Sequence, residues 1–265
     1  MNYYSKIKYI FQLGSVALIG AILLSSTAIQ TERPITAQDK ALEVIEKYIE
    51  ATGGREAWSK LVTKEQRTIL IQFPEPEPEY LIPASPKPDS VVTESVTYYD
   101  KIQEKHKWIK LEDGSGLCHD GHSFYHISSM GKISEIAQDA GFYKAASFKM
   151  GHPELLMNLK EGDLVEYMGT DFFDSIFCDV IRFRRKEMEM FKPSLLYFRR
   201  DNSLLVVTKS DPDDFDRLTY HLKYTRVNGV LIPLETVTYH FEKLWSKGSA
   251  RLRFNIDISD KLDCN

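Results

Sequence analysis

Positive charge is not in excess in this sequence: 34 Lys and Arg face 38 Asp and Glu, for a formal net charge of −4 and an isoelectric point near 6.0. A nucleic-acid binder normally shows a basic domain or stripe, so that class is excluded. The motifs of common catalytic chemistry are missing too. No Gly-x-Ser-x-Gly raises a serine on a strand–helix elbow, and Ser128-Ser129 lacks that context. His-Glu-x-x-His, the P-loop pattern and Gly-x-Gly-x-x-Gly do not occur, and Gly114-Ser115-Gly116 is too short to cradle a phosphate. Cysteine is scarce: Cys118, Cys178 and Cys264 are the three present, with no Cys-x-x-Cys pair, so the chain is no disulfide-dense miniprotein. With 43% apolar residues over 265 positions, it can bury roughly 70% of its unfolded surface and needs no metal or disulfide scaffold.

One long uncharged run stands out, from Tyr9 to Gln30. Lys6 and Lys8 precede the apolar core Leu13 to Leu24, and small residues follow at Ser25-Ser26-Thr27-Ala28, the order of an export signal over residues 1–37. The competing reading is an uncleaved anchor, since the run nearly reaches bilayer-spanning length. No cysteine lies in or just after the run to accept a lipid. Cleavage near Ala37 would leave 31 basic and 37 acidic residues, a mildly acidic mature chain. Export makes the cysteines candidates for oxidation, with three possible pairings and one thiol left over. Alternatively they are small apolar fillers, a reading that suits Cys178 between Phe177 and Val180.

Residues 38–265 read as one domain. Thr36 to Asp39 has the form of a capping box, and Ala41, Leu42, Val44, Ile45, Tyr48 and Ile49 form one stripe of an amphipathic helix. Gly53-Gly54 ends it, and a short second helix carries Ala57, Trp58 and Leu61. From Lys64 the pattern becomes β: Arg67 to Phe73, Ser90 to Tyr99, then runs near 104–111, 122–128, 132–137, 163–169, 176–186, 194–200, 203–209, 217–226, 230–242 and 250–258. Phe73 to Pro88 holds six prolines and is an exposed, extended loop. Asn228-Gly229 predicts a type I′ hairpin, and Asp201-Asn202 another turn. Gly141 to Leu159 interrupts the β series with apolar helical pieces, expected to form a plug or lid on the concave face of a curved sheet.

The ordered series resembles the outer-membrane lipoprotein-sorting superfamily of LolA, LolB and RseB. It is carried by Glu50-Ala51-Thr52-Gly53-Gly54, by Lys107-Trp108-Ile109-Lys110 followed by Asp120-Gly121-His122-Ser123-Phe124-Tyr125, and by the later hairpins at Glu166 to Thr170, Leu196 to Asp201 and Tyr224 to Pro233. Roughly residues 38–258 are covered, and Lys101-Ile102 stands where the dedicated carrier commonly has a basic residue and proline. The resemblance implies a mainly β fold with α elements: a half-open antiparallel β-barrel with helices on its concave side. The implied activity is sheltering the acyl chains of a lipid or lipoprotein, without catalysis or cofactor, in the periplasm or cell envelope.

Within the chain, Cys118-His119-Asp120-Gly121-His122-Ser123-Phe124-Tyr125-His126 is the densest cluster of candidate ligands. Its spacing matches no zinc pattern, and the Asp120-Gly121 turn sends His119 and His122 to opposite arms, so surface histidines on a turn are expected. Asp211-Pro212-Asp213-Asp214 reads as a solvated turn rather than a calcium loop. Arg182, Arg184, Arg185, Lys186, Arg199 and Arg200 are read as a solvated face, with anionic headgroups and hence contact with the envelope membrane as the alternative. What remains is apolar binding, with candidate lining residues Ile69, Ile71, Trp108, Phe124, Tyr125, Phe148, Leu155 and Met157. The alternative to a carrier is an envelope-sensing or protein-interaction module whose core is closed by these same side chains, and a third reading, a hydrolase or metal enzyme, rests only on the His119 to His126 cluster.

Overall fold

Five buried side chains, Ala41, Val44, Ile45, Tyr48 and Ile49, mark the inner stripe of helix α1 (Ala37–Ala51), while Glu43 and Lys47 pair at 2.6 Å on its outer side. The computed structural model describes residues 35–73, 90–137, 152–186, 193–210, 217–240 and 243–264. Residues 1–34 of the expected signal segment, most of the Pro-rich loop, the acidic turn at Asp211 to Asp214 and Phe148 lie outside these. The helix ends at Gly53, whose φ is +123°. A Cβ there would stand 2.8 Å from the Gly229 carbonyl oxygen, so only glycine allows this approach. The contact is fastened next door, where Leu231 N–H donates to the Thr52 carbonyl at 2.8 Å. Helix α2 (Gly54–Ser59) follows and buries Trp58, whose Nε1–H donates to Thr52 Oγ1 at 3.3 Å.

Thirteen strands form one antiparallel sheet: β1 Thr63–Gln72, β2 Val91–Asp100, β3 Lys105–Lys110, β4 Gly116–His119, β5 Phe124–Ile127, β6 Ile133–Ile136, β7 Leu164–Phe173, β8 Ile176–Arg184, β9 Ser194–Arg199, β10 Leu205–Ser210, β11 Arg217–Val227, β12 Val230–His240 and β13 Lys243–Phe254. Their order is 6-5-4-3-2-1-13-12-11-10-9-8-7, so two sequential meanders are joined where the first strand pairs with the last. The sheet is not closed. Asn228 and Gly229, at φ +48° and +89°, make the expected mirror-image turn. Strand β4 is absent from the periodicity reading because Gly-Leu-Cys-His has no strand signature. It exists through its neighbours, and Gly116 sits so close to β3 that a Cβ would fall 2.0 Å from the Trp108 carbonyl oxygen. Strand β13 likewise begins earlier than expected, because small residues at Ser246, Gly248, Ser249 and Ala250 hide the alternation.

The helices lie on one face. The stripe of α1 packs with Leu156 of α3 (His152–Met157) on Val165, Ile181, Phe183, Leu196, Phe198 and Leu205, inward residues of β7 to β10. Trp58 and Leu61 pack on Val230, Ile232 and Phe254. Alternate residues of the β7 to β10 half, Cys178, Val180, Tyr197 and Val207, form a second cluster on the far face. Also on the far face, the chain after β13 runs back over β3 to β5, and Cys264 bonds to Cys118 with a Cα–Cα distance of 5.7 Å. That selects one of the three pairings. Cys178 stays a buried free thiol whose pKa is pushed up to about 11, chiefly by burial.

Candidate functional site

Strand register separates the expected lining residues into two groups. Phe254 faces the helices and aligns across the sheet with Lys64, Tyr99, His106, His119 and Phe124. Two residues along, Leu252, Gln66, Thr97, Trp108 and Leu117 form the next row on this side. Trp108 and Phe124 therefore share the helix-side face. Ile69, Ile71 and Tyr125 point to the far face: Ile69 aligns with Ser249 and Glu94, and Tyr125 packs in the cluster around the disulfide. The two groups do not line one cavity. A single strand's alternation was visible in the sequence, but which face met the helices was not.

The helix-side row is aromatic and well packed. His119 and Phe124 have ring centroids 4.2 Å apart, and His106 stacks on His119 at 5.2 Å. His119 is buried, and its Nδ1–H donates to the Glu104 carbonyl at 2.8 Å. This corrects the expectation of surface histidines. The residue belongs to β4, whose existence the sequence pattern hid. His122 and His126 are exposed, as expected of the turn and the strand beyond it. Asp120 holds the turn: its carboxylate accepts from the N–H groups of Ser123 and His122 at 2.8 Å and from the Tyr125 hydroxyl at 3.0 Å, contacts that lower its pKa. Cys118 faces away from His119 and is consumed in the disulfide, so the nine-residue cluster supplies no thiolate ligand.

Leu155 and Met157 sit half-buried on α3, where Leu155 packs on the α1 cluster and Met157 touches both helix-side clusters. This short helix is clamped at its C-terminal end. Arg185 donates to the carbonyls of Leu155 at 3.0 Å and Asn158 at 2.6 Å, and Arg55 donates to that of Met157 at 3.3 Å. Arg185 also pairs with Asp163 at 2.9 Å, the two side chains being 11% and 1% exposed. Burial works against ionisation of Asp163. The N–H groups of Lys160 and Lys186 and the Arg185 guanidinium outweigh it and lower the pKa. Arg185 was expected on a solvated face, and the structure turns it inward. Other basic side chains of that expected face are matched to carboxylates: Arg200 to Asp179 at 3.5 Å and Arg182 to Glu166 at 3.9 Å.

Neither a family model nor a curated protein matches this sequence. Solved structures do match the fold. A DUF1329 family protein from Desulfovibrio piger aligns with 86% of this chain and 98% of its own at TM-score 0.56 and 11% identity. An outer membrane lipoprotein-sorting protein domain from Vibrio parahaemolyticus aligns with 84% of this chain and 96% of its own, at TM-score 0.56 and 10% identity. A LolA superfamily protein from Nitrosomonas europaea gives 86% and 97%, TM-score 0.53 and 11% identity. The fold is thus of the LolA type, a large unclosed antiparallel sheet with helices on one face, as the sequence resemblance implied.

Proposed function

We propose that this protein is an exported, non-enzymatic carrier that shelters an acyl chain of a lipid or lipoprotein between the helix-side face of its sheet and its short helices. One observation carries the reading. An unclosed sheet presents Trp108, Leu117 and Phe124 on the side of the helices, while Leu155 and Met157 on α3 are only half-buried. The α1 stripe is packed against β7 to β10, with Ala41, Tyr48 and Ile49 at 0% exposure, so room for a chain belongs over the β2 to β5 half. Sorting of outer-membrane lipoproteins is the work named for the Vibrio parahaemolyticus domain, and the shared fold supports a related role here. The Cys118–Cys264 bond supports an oxidising compartment, periplasm or envelope, as its place.

The test is binding of a dansyl-labelled fatty acid, followed by directly excited dansyl emission, with native mass spectrometry of protein purified from its own envelope to detect lipid carried along. Saturable binding that Trp108→Ala weakens supports the carrier. A protein that takes up no probe and carries no lipid is instead the closed-core interaction module, a reading favoured by the complete burial at α1.

A further inference from the structure

On the face away from the helices, a groove of about 520 Å³ crosses β2, β1, β13, β12 and β11, lined by Arg67, Ile69, Glu94, Lys223, Glu235 and Arg251 among others. Its size falls in the range of small-molecule sites. We propose that this groove is a second binding site, taking a phosphate-bearing amphiphile whose head lies between Arg67 and Arg251. It goes beyond the acyl-chain reading, because it lies on the opposite side of the sheet and uses none of the residues assigned there.

The argument begins with charge. Arg67 and Arg251 are direct cross-strand partners in the β1–β13 register, an arrangement in which like charges repel. Lys223 is matched by Glu235. Glu65 serves Arg67 at 3.3 Å but is claimed more closely by Arg253 at 2.6 Å. Arg251 has no ion pair among the described residues. Three guanidiniums, Arg67, Arg251 and Arg253, with the one carboxylate of Glu65 among them leave cationic donors where an anion fits, in a chain whose formal net charge is −4. Glu94, beside Ile69, repels the head from the β2 side of the floor and favours the Arg67–Arg251 end.

Apolar surface supplies the rest of the ligand's chemistry. Ile69 and Leu111 line the groove while 44% and 48% exposed. The exposed surface continues along β2 to Val92, 52% exposed and paired in register with Ile71. An apolar strip leading away from an arginine pair matches an anionic head with a chain attached, rather than a free ion or a neutral lipid. Ile69 and Ile71, which cannot reach Trp108, thereby acquire a ligand of their own.

The site is read by amide chemical shifts of residues 67–69 and 249–251 in the labelled full chain, titrated separately with dioctanoyl phosphatidic acid, inorganic phosphate and dioctanoylglycerol. Phosphatidic acid is expected to shift these amides at concentrations where the other two do not. The double variant Arg67→Gln/Arg251→Gln should weaken that effect by about tenfold or more. Binding of an uncharged dansyl fatty acid methyl ester, which carries no anion for the arginine pair, should be unchanged in the same variant, so failure of this site and failure of the carrier reading are distinguishable. Arg251→Gln alone breaks no ion pair and provides a variant whose fold is not at issue. Equal shifts by inorganic phosphate, equal shifts by dioctanoylglycerol, or shifts by phosphatidic acid that survive both variants would each overturn the proposal.

Discussion

Arg185 and Asp163 hold each other almost out of water while the arginine also caps α3, so their loss should be felt beyond the pair. Arg185→Ala leaves a buried carboxylate without its cation, held only by the N–H groups of Lys160 and Lys186, and frees the carbonyls of Leu155 and Asn158. It should cost about 3 kcal/mol, measured by urea unfolding, because removing one partner strands the other charge. Asp163→Asn added to that variant should recover part of the loss. The sign of the pH effect follows from the lowered pKa of Asp163. Its stabilisation is present above the ordinary aspartate range, about 4, and disappears as pH falls through the lower folded value. Acid unfolding of Asp163→Asn should therefore be less steep than that of the unaltered protein below pH of about 4. Cys178 gives an independent check on burial. With its pKa raised to about 11 the thiol should resist iodoacetamide at neutral pH and react once urea unfolds the chain.

Among the elements, the C-terminal segment after β13 is held by more than its disulfide. Val62 N–H donates to Asn255 Oδ1 at 2.9 Å, Thr63 Oγ1 to the Ile256 carbonyl at 2.7 Å, and Ile258 and Leu262 are buried. The Cys118–Cys264 bond spans 146 residues and closes a long loop in the unfolded chain. Cys264→Ser should lower stability by about 3 kcal/mol, and reducing agent should lower the melting temperature of the parent but not of the variant. These elements also show how far local pattern reaches. The α1 stripe, the Gly53 stop and the Asn228-Gly229 hairpin were legible, because helix period, left-handed glycine and mirror-image turns are properties of a few consecutive residues. Strand β4 and the first half of β13 were not, since Gly116 in the one and Ser246 and Gly248 in the other break the alternation and their pairing is supplied by neighbours.

For the whole molecule, the carrier reading turns on whether the layer between helices and sheet opens. Met157→Asp places a charge between the two helix-side clusters, at a cost of about 3 kcal/mol unless it reaches water. In an open half-barrel it should abolish dansyl fatty acid binding with the melt retained. In a closed core the melt itself collapses. An unaltered melt with unaltered binding would place residue 157 outside the ligand's path.

The amino-acid sequence by itself determined an amphipathic opening helix, a long antiparallel meander and the order of its hairpins, because each is encoded in the spacing of nearby residues. It also contained the aromatic Trp108 and Phe124 and the isoleucines Ile69 and Ile71 as candidates for one lining. Only the tertiary structure decided that they lie on opposite faces, since pairing β1 with β13 fixes which alternate set meets Trp58 and the helices. The same long-range pairing brings Arg67 beside Arg251, and the chain beyond β13 joins Cys118 to Cys264. Contacts between residues more than a hundred positions apart follow from how the two meanders meet, and no local period encodes that meeting.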